Sequence, residues 1–341
     1  MNAIRLAPDP IPPRAELAPR AARVLVVIVN YRTPELVLDC LDSLEDEVRA
    51  HPGTRVVVVE NGSGDASAAI LAKGIETRGF GAWVELRIEA HNGGFAAGNN
   101  VALAPALELP PSERPDWFWL VNPDTIVRPG ALRALLEFFD AHADAGLAGS
   151  RLEYEDGTQH DSRYRFPTIW SEIDGALRLG FVSRLLRRWE ISPPLVLHDH
   201  EIGWVAGASL ILKRAVLESI GLFDERYFLY YEETDLCLRA RDAGHRCWYV
   251  PKSRVAHLVG RSSGVTSLRE PPKRRPRYWF ESRRYYFEKH HGYIYALATD
   301  AAFAACFALW RVRRRLQGKP DEDPPHFLGD FLRARFARSS R

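Results

Sequence analysis

Three short apolar runs, each stopped abruptly by a polar residue, constrain this chain more than any other feature. The run 24–29 ends at Asn30-Tyr31, the run 56–59 at Glu60-Asn61-Gly62-Ser63, and the run 117–121 at Asn122-Pro123-Asp124. A buried strand reads this way when it delivers polar groups to the carboxyl edge of a sheet. Between the first two runs, Val37, Cys40, Leu41, Leu44 and Val48 recur at helical spacing, with Thr33 and Pro34 as cap and first helical residue. A further strand is expected at 83–88, a helix at 95–107, and another helix where Leu132, Leu135, Leu136 and Phe139 recur. Alternation of this kind predicts an α/β fold with a mostly parallel, doubly wound sheet flanked by helices.

The later chain is less regular. Residues 151–201 mix tyrosines, arginines and prolines around a helix expected at 173–189. Order returns with a strand-like run at 204–212, a helix near 215–220, and a helix at 232–243 stopped by Gly244, which suits the left-handed position after a helix end. A strand is expected at 246–250. With 341 residues, 46% of them hydrophobic, the chain can bury one large core or two smaller ones. Cys40, Cys237, Cys247 and Cys306 are scattered, which implies neither a zinc knuckle nor a disulfide framework and fits a reducing cytoplasm. The first 22 residues are broken by prolines and lack a continuous apolar stretch, so a mobile tail is expected rather than a secretory signal.

The net charge of +2 conceals a basic C-terminal part that includes Arg274, Arg275, Arg277, Arg283 and Arg284. Such a face either meets solvent or an anionic partner such as phospholipid or a lipid diphosphate. The stretch 293–310 is apolar apart from Thr299 and Asp300, and Arg311, Arg313, Arg314 and Arg315 follow it. A carboxylate near its centre argues against a transmembrane span. A helix packed on the core, a helix lying in the membrane interface and, disfavoured by that carboxylate, a true span are the readings left open.

The segment 223–235 packs acids and aromatics together, and with the run ending at Asp124 it suggests a metal-bound phosphate site facing a general base. The ordered set Val27-Ile28-Val29-Asn30-Tyr31, Glu60-Asn61-Gly62-Ser63-Gly64-Asp65, Asn92-Gly93-Gly94-Phe95, Asn122-Pro123-Asp124 and Gly221-Leu222-Phe223-Asp224-Glu225 resembles the family-2 glycosyltransferases of GT-A fold, particularly their bacterial rhamnosyltransferase-like branch. The resemblance covers residues 23–264, leaving 1–22 as a tail and 265–341 as a basic, aromatic helical extension.

The resemblance implies a nucleoside-diphosphate sugar donor and a divalent cation, Mg²⁺ or Mn²⁺, held by Asp124 and by His257. The first acid of the family's usual metal signature is here Asn122, which can hydrogen-bond ribose or phosphate. Asn30, Tyr31, Glu60 and Asn61 would meet the nucleotide, with Glu60 standing where the family has aspartate; its plainer role is to cap a turn. Asn92, Gly94, Phe95 and Asn99 would seat ribose or diphosphate at a helix start, or simply form a tight loop. Glu233 is the expected base for inverting transfer, with Glu232 and Asp235 as exchangeable candidates, although Asp235 also suits helix capping. Trp204, Gly207 and Ala208 would wall the acceptor side, and Arg261, Ser262 and Ser263 would close over the diphosphate. The implied reaction moves a hexose, L-rhamnose from dTDP-rhamnose in the first instance, to a lipid-linked or polysaccharide acceptor at the cytoplasmic membrane face, without nucleic acid. A second class is a catalytically silent, membrane-associated partner of the same fold. A dinucleotide oxidoreductase is opposed by the lack of a Gly-x-Gly-x-x-Gly turn after the first strand.

Overall fold

The computed structural model describes residues 23–258 and 272–336. The first half runs β1 (Val24–Asn30), α1 (Pro34–Ala50), β2 (Thr54–Asn61), α2 (Ser67–Thr77), β3 (Val84–Glu89), α3 (Gly94–Glu108), β4 (Trp117–Val121), β5 (Thr125–Val127), α4 (Ala131–Ala141) and β6 (Ala145–Glu153). The middle runs β7 (Arg163–Tyr164), α5 (Ile169–Leu177), α6 (Gly180–Leu185), β8 (His200–Ile202), β9 (Trp204–Val205), β10 (Ser209–Lys213) and α7 (Arg214–Ile220). It closes with α8 (Glu232–Asp242), β11 (Arg246–His257), α9 (Arg277–His291), α10 (Tyr293–Leu316) and α11 (Phe327–Phe336).

The main sheet has the order β3-β2-β1-β4-β10-β6-β11-β5, with β8 also on β11. Its first four strands are parallel, as expected. Beyond them β10 runs against both neighbours, β6 and β11 are parallel, and β5 and β8 run against β11. The sheet is therefore parallel where the early βα units build it and mixed where later strands complete it. The uninterrupted apolar runs follow from burial on both faces. Val26, Ile28, Val56, Val58 and Trp119 pack with α1, α2 and α4, whereas Leu25, Val27, Val57, Phe118 and Leu120 pack with α3, α7 and α8.

Several polar groups inside this core pair with one another. The Trp119 indole N–H donates to Ser209 Oγ at 3.0 Å, and Ser209, Ser150 and Ser253 continue a hydroxyl chain at 2.7 Å per link across β10, β6 and β11. Without such partners each buried donor would carry a desolvation cost of about 1–3 kcal/mol.

Several expectations change in detail. The helix expected at 173–189 is split into α5, α6 and a 3₁₀ turn at Arg187–Trp189, because Arg178 adopts φ +50. The run 204–212 divides into β9 and β10, which belong to different sheets. The strand expected to end at Val250 continues to His257 through a register shift between Val250 and Arg254. Thr33 makes no side-chain cap; the Asn30 side chain accepts from Thr33 N at 3.2 Å instead. Gly244, at φ +89, does close α8.

The C-terminal helices surround an aromatic cluster of Phe280, Phe307, Phe327 and Phe331. Beside it Arg283 is buried between Glu172 Oε2 at 2.6 Å and Asp300 Oδ1 at 2.5 Å, tying α9 to α5 and α10. Asp300 also meets Arg335 of α11 at 3.3 Å. The acid that interrupts the apolar stretch thus points inward.

Candidate active site

The carboxyl ends of β1, β2, β3 and β4 lie at one edge of the sheet, and the strand order reverses between β1 and β4. Such a switch point leaves a crevice suited to a nucleotide. Asn30 and Asn122 stand on its two sides. Asn30 is fully buried; Nδ2 has no hydrogen-bond partner among the described residues, and neither has Asn122 Oδ1. Buried polar atoms left over in this way call for a partner such as water or ligand.

Other residues expected at the nucleotide shape the loops around it. Glu60 Oε1 accepts from Ser63 N at 2.8 Å, the turn-capping role. Asn61 Nδ2 donates to Asn92 Oδ1 at 3.1 Å and to Gly94 O at 2.9 Å, and Asn92 Oδ1 accepts from Gly94 N at 2.9 Å. Asn99 Nδ2 donates to Phe95 O within α3 at 2.8 Å. Tyr31 is exposed, with the Arg32 guanidinium 5.1 Å from its ring centre.

Asp124 closes the short turn between β4 and β5 and is buried. Because β5 runs against β11 with Thr125 opposite His257, the imidazole Nε2 comes to 3.4 Å from Asp124 Oδ1. His257 Nδ1 is buried without a hydrogen-bond partner among the described residues. His160, which sequence reasoning did not single out, lies with its ring 5.7 Å from that of His257, and burial lowers its pKa. Among the described residues no group of three His, Cys, Asp or Glu closes around a metal. This carboxylate and imidazole are the side chains that could hold a divalent cation such as Mn²⁺ or Mg²⁺.

The acidic helix start reaches the same edge through β10. Asn122 N donates to Ala208 O at 3.2 Å, and a Cβ at the neighbouring Gly207 would stand 3.8 Å from Glu233 Oε1. Glu232 is buried and Glu233 half-buried, and an oxygen of each has no hydrogen-bond partner among the described residues. Burial raises both pKa values, and the charge of Glu233 adds to the rise at Glu232. The pair thus holds a proton more tightly than ordinary glutamates do.

Asp235 is treated oppositely. Its carboxylate meets Arg239 Nε at 2.7 Å, His290 Nε2 at 2.7 Å and Lys289 Nζ at 2.5 Å. Burial alone would raise its pKa, but these partners outweigh burial and hold it below the usual range. Lys289 also bonds Asp224 at 2.8 Å, so α9 clamps the acidic segment from behind.

The backbone entering α8 is strained, with Tyr230 at φ +72 and Tyr231 at φ +70. Two consecutive left-handed non-glycine residues cost about 1–3 kcal/mol each and persist only when their surroundings hold them. Here Phe95 N donates to Phe228 O at 2.7 Å, and Asn100 bonds Phe223 N, Phe223 O and Glu225 Oε1. Gly94, at φ +87, is required at this contact, since a Cβ would lie 2.1 Å from Phe228 O. The start of α3 and the acidic segment are therefore fastened to each other. Asn100 was missed in the sequence, although a buried Asn pair inside a helix is an unusual choice.

On the remaining side Trp204 stacks on Tyr164 at 4.4 Å and its indole N–H donates to Arg165 O at 3.1 Å. Phe95 lies beside Gly207, 3.4 Å from where a Cβ would stand. Arg261, Ser262 and Ser263 lie outside the described residues. A cleft of about 720 Å³ opens at the opposite edge of the sheet, lined by Arg23, Gly53, Trp83 and Leu109, and it contains none of these site residues. The convergence of polar groups, rather than cavity size, marks the site.

Residues 19–308 match the family model described as Glycosyltransferase like family 2. The chain belongs to this family. It is 31% identical over 157 residues to an N-acetylglucosaminyl-diphospho-decaprenol L-rhamnosyltransferase of Mycobacterium tuberculosis (strain CDC 1551 / Oshkosh), covering 44% of the chain and 49% of that relative. It is 27% identical over 166 residues to the rhamnosyltransferase WbbL of Escherichia coli (strain K12), covering 49% of the chain and 61% of that relative. The match thus spans about half the length of the first relative. Among solved structures, the mannosyltransferase PcManGT from Pyrobaculum calidifontis, in complex with GDP-Man and Mn²⁺, superposes with a TM-score of 0.51 at 16% identity over 88% of this chain and 77% of that one. This family-2 chain has the GT-A fold: a mixed central sheet with helices on both faces.

Proposed function

We propose that the chain is an inverting hexosyltransferase that moves a sugar, L-rhamnose from dTDP-rhamnose in the first instance, from a nucleoside-diphosphate donor to a lipid-linked or polysaccharide acceptor. The observation that carries this reading is the single sheet edge shared by the Asp124–His257 pair and the Glu233 carboxylate, one oxygen of which has no hydrogen-bond partner among the described residues, with Asn122, Ala208 and Gly207 between them. The names of the two rhamnosyltransferase relatives support the sugar, and the decaprenol-diphosphate in one of them supports a lipid-linked acceptor.

In this reading Asn30 and Asn122 offer their spare buried polar atoms to the donor, and the loop carrying Asn92, Gly94 and Phe95 borders the diphosphate. Asp124 and His257 would hold a divalent cation, which when bound neutralises charge developing on the departing diphosphate. Glu233 takes the proton of the acceptor hydroxyl as that oxygen forms its bond to the anomeric carbon. The bond from that carbon to the donor phosphate oxygen breaks, and its electron pair leaves on the diphosphate. A raised pKa suits a base that must be ionised near neutral pH yet still hold a proton well. Glu232, whose own pKa the charge of Glu233 raises further, stands beside it, and Asp235, already engaged by Arg239, Lys289 and His290, positions α8. Trp204, stacked on Tyr164, offers an apolar wall to the acceptor sugar.

The test is a thermal-shift titration with dTDP, UDP and GDP in the presence of Mn²⁺. One nucleotide should raise the melting temperature, and Asp124→Ala should abolish that rise. An undiminished rise in the variant overturns the metal assignment, and transfer of no sugar from any nucleotide donor overturns the reaction.

A further inference from the structure

We propose that the outer face of α10, together with α6, is a docking surface that lies flat on an anionic lipid bilayer. The inference deepens the reading of a lipid-linked acceptor, on which it rests, and it is drawn from the packing of the C-terminal helices.

The helix α10 has 24 residues, about 36 Å of length at the usual rise. Its inner face carries every polar group that would resist an apolar medium in its first half. Thr299 is fully buried, and Asp300 is buried against Arg283 and Arg335. Its outer face keeps Ile294, Leu297, Leu309, Val312 and Leu316 exposed, Ile294 to 84% and Leu316 to 83%, with exposed Ala298, Ala301 and Ala305 between them. Steps of three and four residues place these side chains along one stripe. A stripe of this length that no element among the described residues covers marks an interaction surface.

Charge selects the occupant. From residue 293 to 319 the sole acid is Asp300, which faces inward, whereas Arg315 and Lys319 are exposed. The short helix α6 repeats the pattern, since Phe181 and Leu185 are 70% and 78% exposed beside exposed Arg184, Arg187 and Arg188, with no acid from 178 to 189. Arg313 of α10 donates through Nη2 to the carbonyls of Leu177 and Arg178 at 2.8 Å, which fastens α10 to the turn that leads into α6. Apolar side chains interleaved with arginines fit acyl chains below a layer of phosphates. A second copy of this chain would bring arginines against arginines. Crossing the bilayer would expose Asp300 and strip Arg283 of a buried partner, so the helix lies in the interface rather than through it.

Flotation of the full chain with phosphatidylcholine vesicles, with and without phosphatidylglycerol, tests the proposal. The native chain should float, and more strongly with phosphatidylglycerol. Ile294→Gln/Leu309→Gln/Val312→Gln should lower partitioning about tenfold or more on both vesicles. Arg184→Gln/Arg187→Gln/Arg188→Gln should remove the phosphatidylglycerol dependence, by about fivefold per arginine at low salt. Both variants should keep the native melting temperature and native hydrolysis of free donor, which separates loss of docking from misfolding. That hydrolysis also tests the transferase reading without a membrane, so the two can fail separately. The proposal is overturned if the native chain does not float, if the apolar variant floats undiminished, or if bound protein resists alkaline carbonate as a span would. It is also overturned if the apolar variant abolishes a concentration-dependent dimer while leaving flotation intact.

Discussion

Two groups of withdrawn carboxyl groups in this molecule are treated in opposite ways. Between α5, α9 and α10, Glu172 and Asp300 surround the buried guanidinium of Arg283, with further contact from Arg335 to Asp300. At the start of α8, Glu232 and Glu233 make no ion pair among the described residues, and each keeps an oxygen without a hydrogen-bond partner there. The first arrangement neutralises charge and locks helices together. The second leaves a carboxyl pair with raised proton affinity beside Gly207, where nothing in the scaffold requires an acid. Asp235, only two residues beyond Glu233, belongs with the first group. Satisfied charge thus separates framework from chemistry more sharply than residue type does.

The comparison breaks most directly at Asp300. Asp300→Ala removes one partner of a buried arginine and should cost about 3–5 kcal/mol of stability, read by urea unfolding. A loss below about 1 kcal/mol would show that the network is not framework. Next in size, Glu233→Gln should lower turnover about a hundredfold while calorimetry finds donor affinity unchanged. Near-native turnover would move the base elsewhere. Asn100→Ala removes the bonds that hold residues 223–225 to α3 and should cost about 1–3 kcal/mol in melting experiments, with a larger relative fall in kcat than in donor affinity. An unchanged kcat would deny it a positioning role.

The smallest effect is the most discriminating. The pKa of Glu232 is raised on folding, so its contribution to stability is fully present below the ordinary carboxyl range and is lost as pH rises through the raised value. Glu232→Gln should therefore melt higher than the native chain at pH 8, with the difference closing as pH falls towards about 4. A stability difference that grows on acidification would contradict the assigned pKa direction.

Much of the fold was legible. The strand at 117–121 has the expected bounds, and the other early strands with α1, α3 and α4 fall within two or three residues of expectation, because side chains buried on both faces write an uninterrupted signal into the chain, whereas α2 (Ser67–Thr77) was not read. The irregular stretch was not legible, since the splitting of 173–189 depends on one left-handed arginine, and the division of 204–212 depends on which strands receive its two halves. Helix α9 was hidden because its aromatic and charged residues alternate around an axis that packs on several sides, with Arg283 inside.

The sequence by itself determined the parallel half of the sheet and the placing of Asn30, Asn61, Asn122 and Asp124 at strand ends, because local hydrophobic pattern and chain polarity suffice for both. Only the tertiary structure decided that Glu60 and Asn61 brace loops, that Asp235 is neutralised by α9 while Glu233 is not, and that Asp300 turns inward so that the outer face of α10 is left apolar. Those outcomes rest on which charges meet across long sequence separations, and a carboxylate carries no mark in the sequence of whether an arginine will reach it.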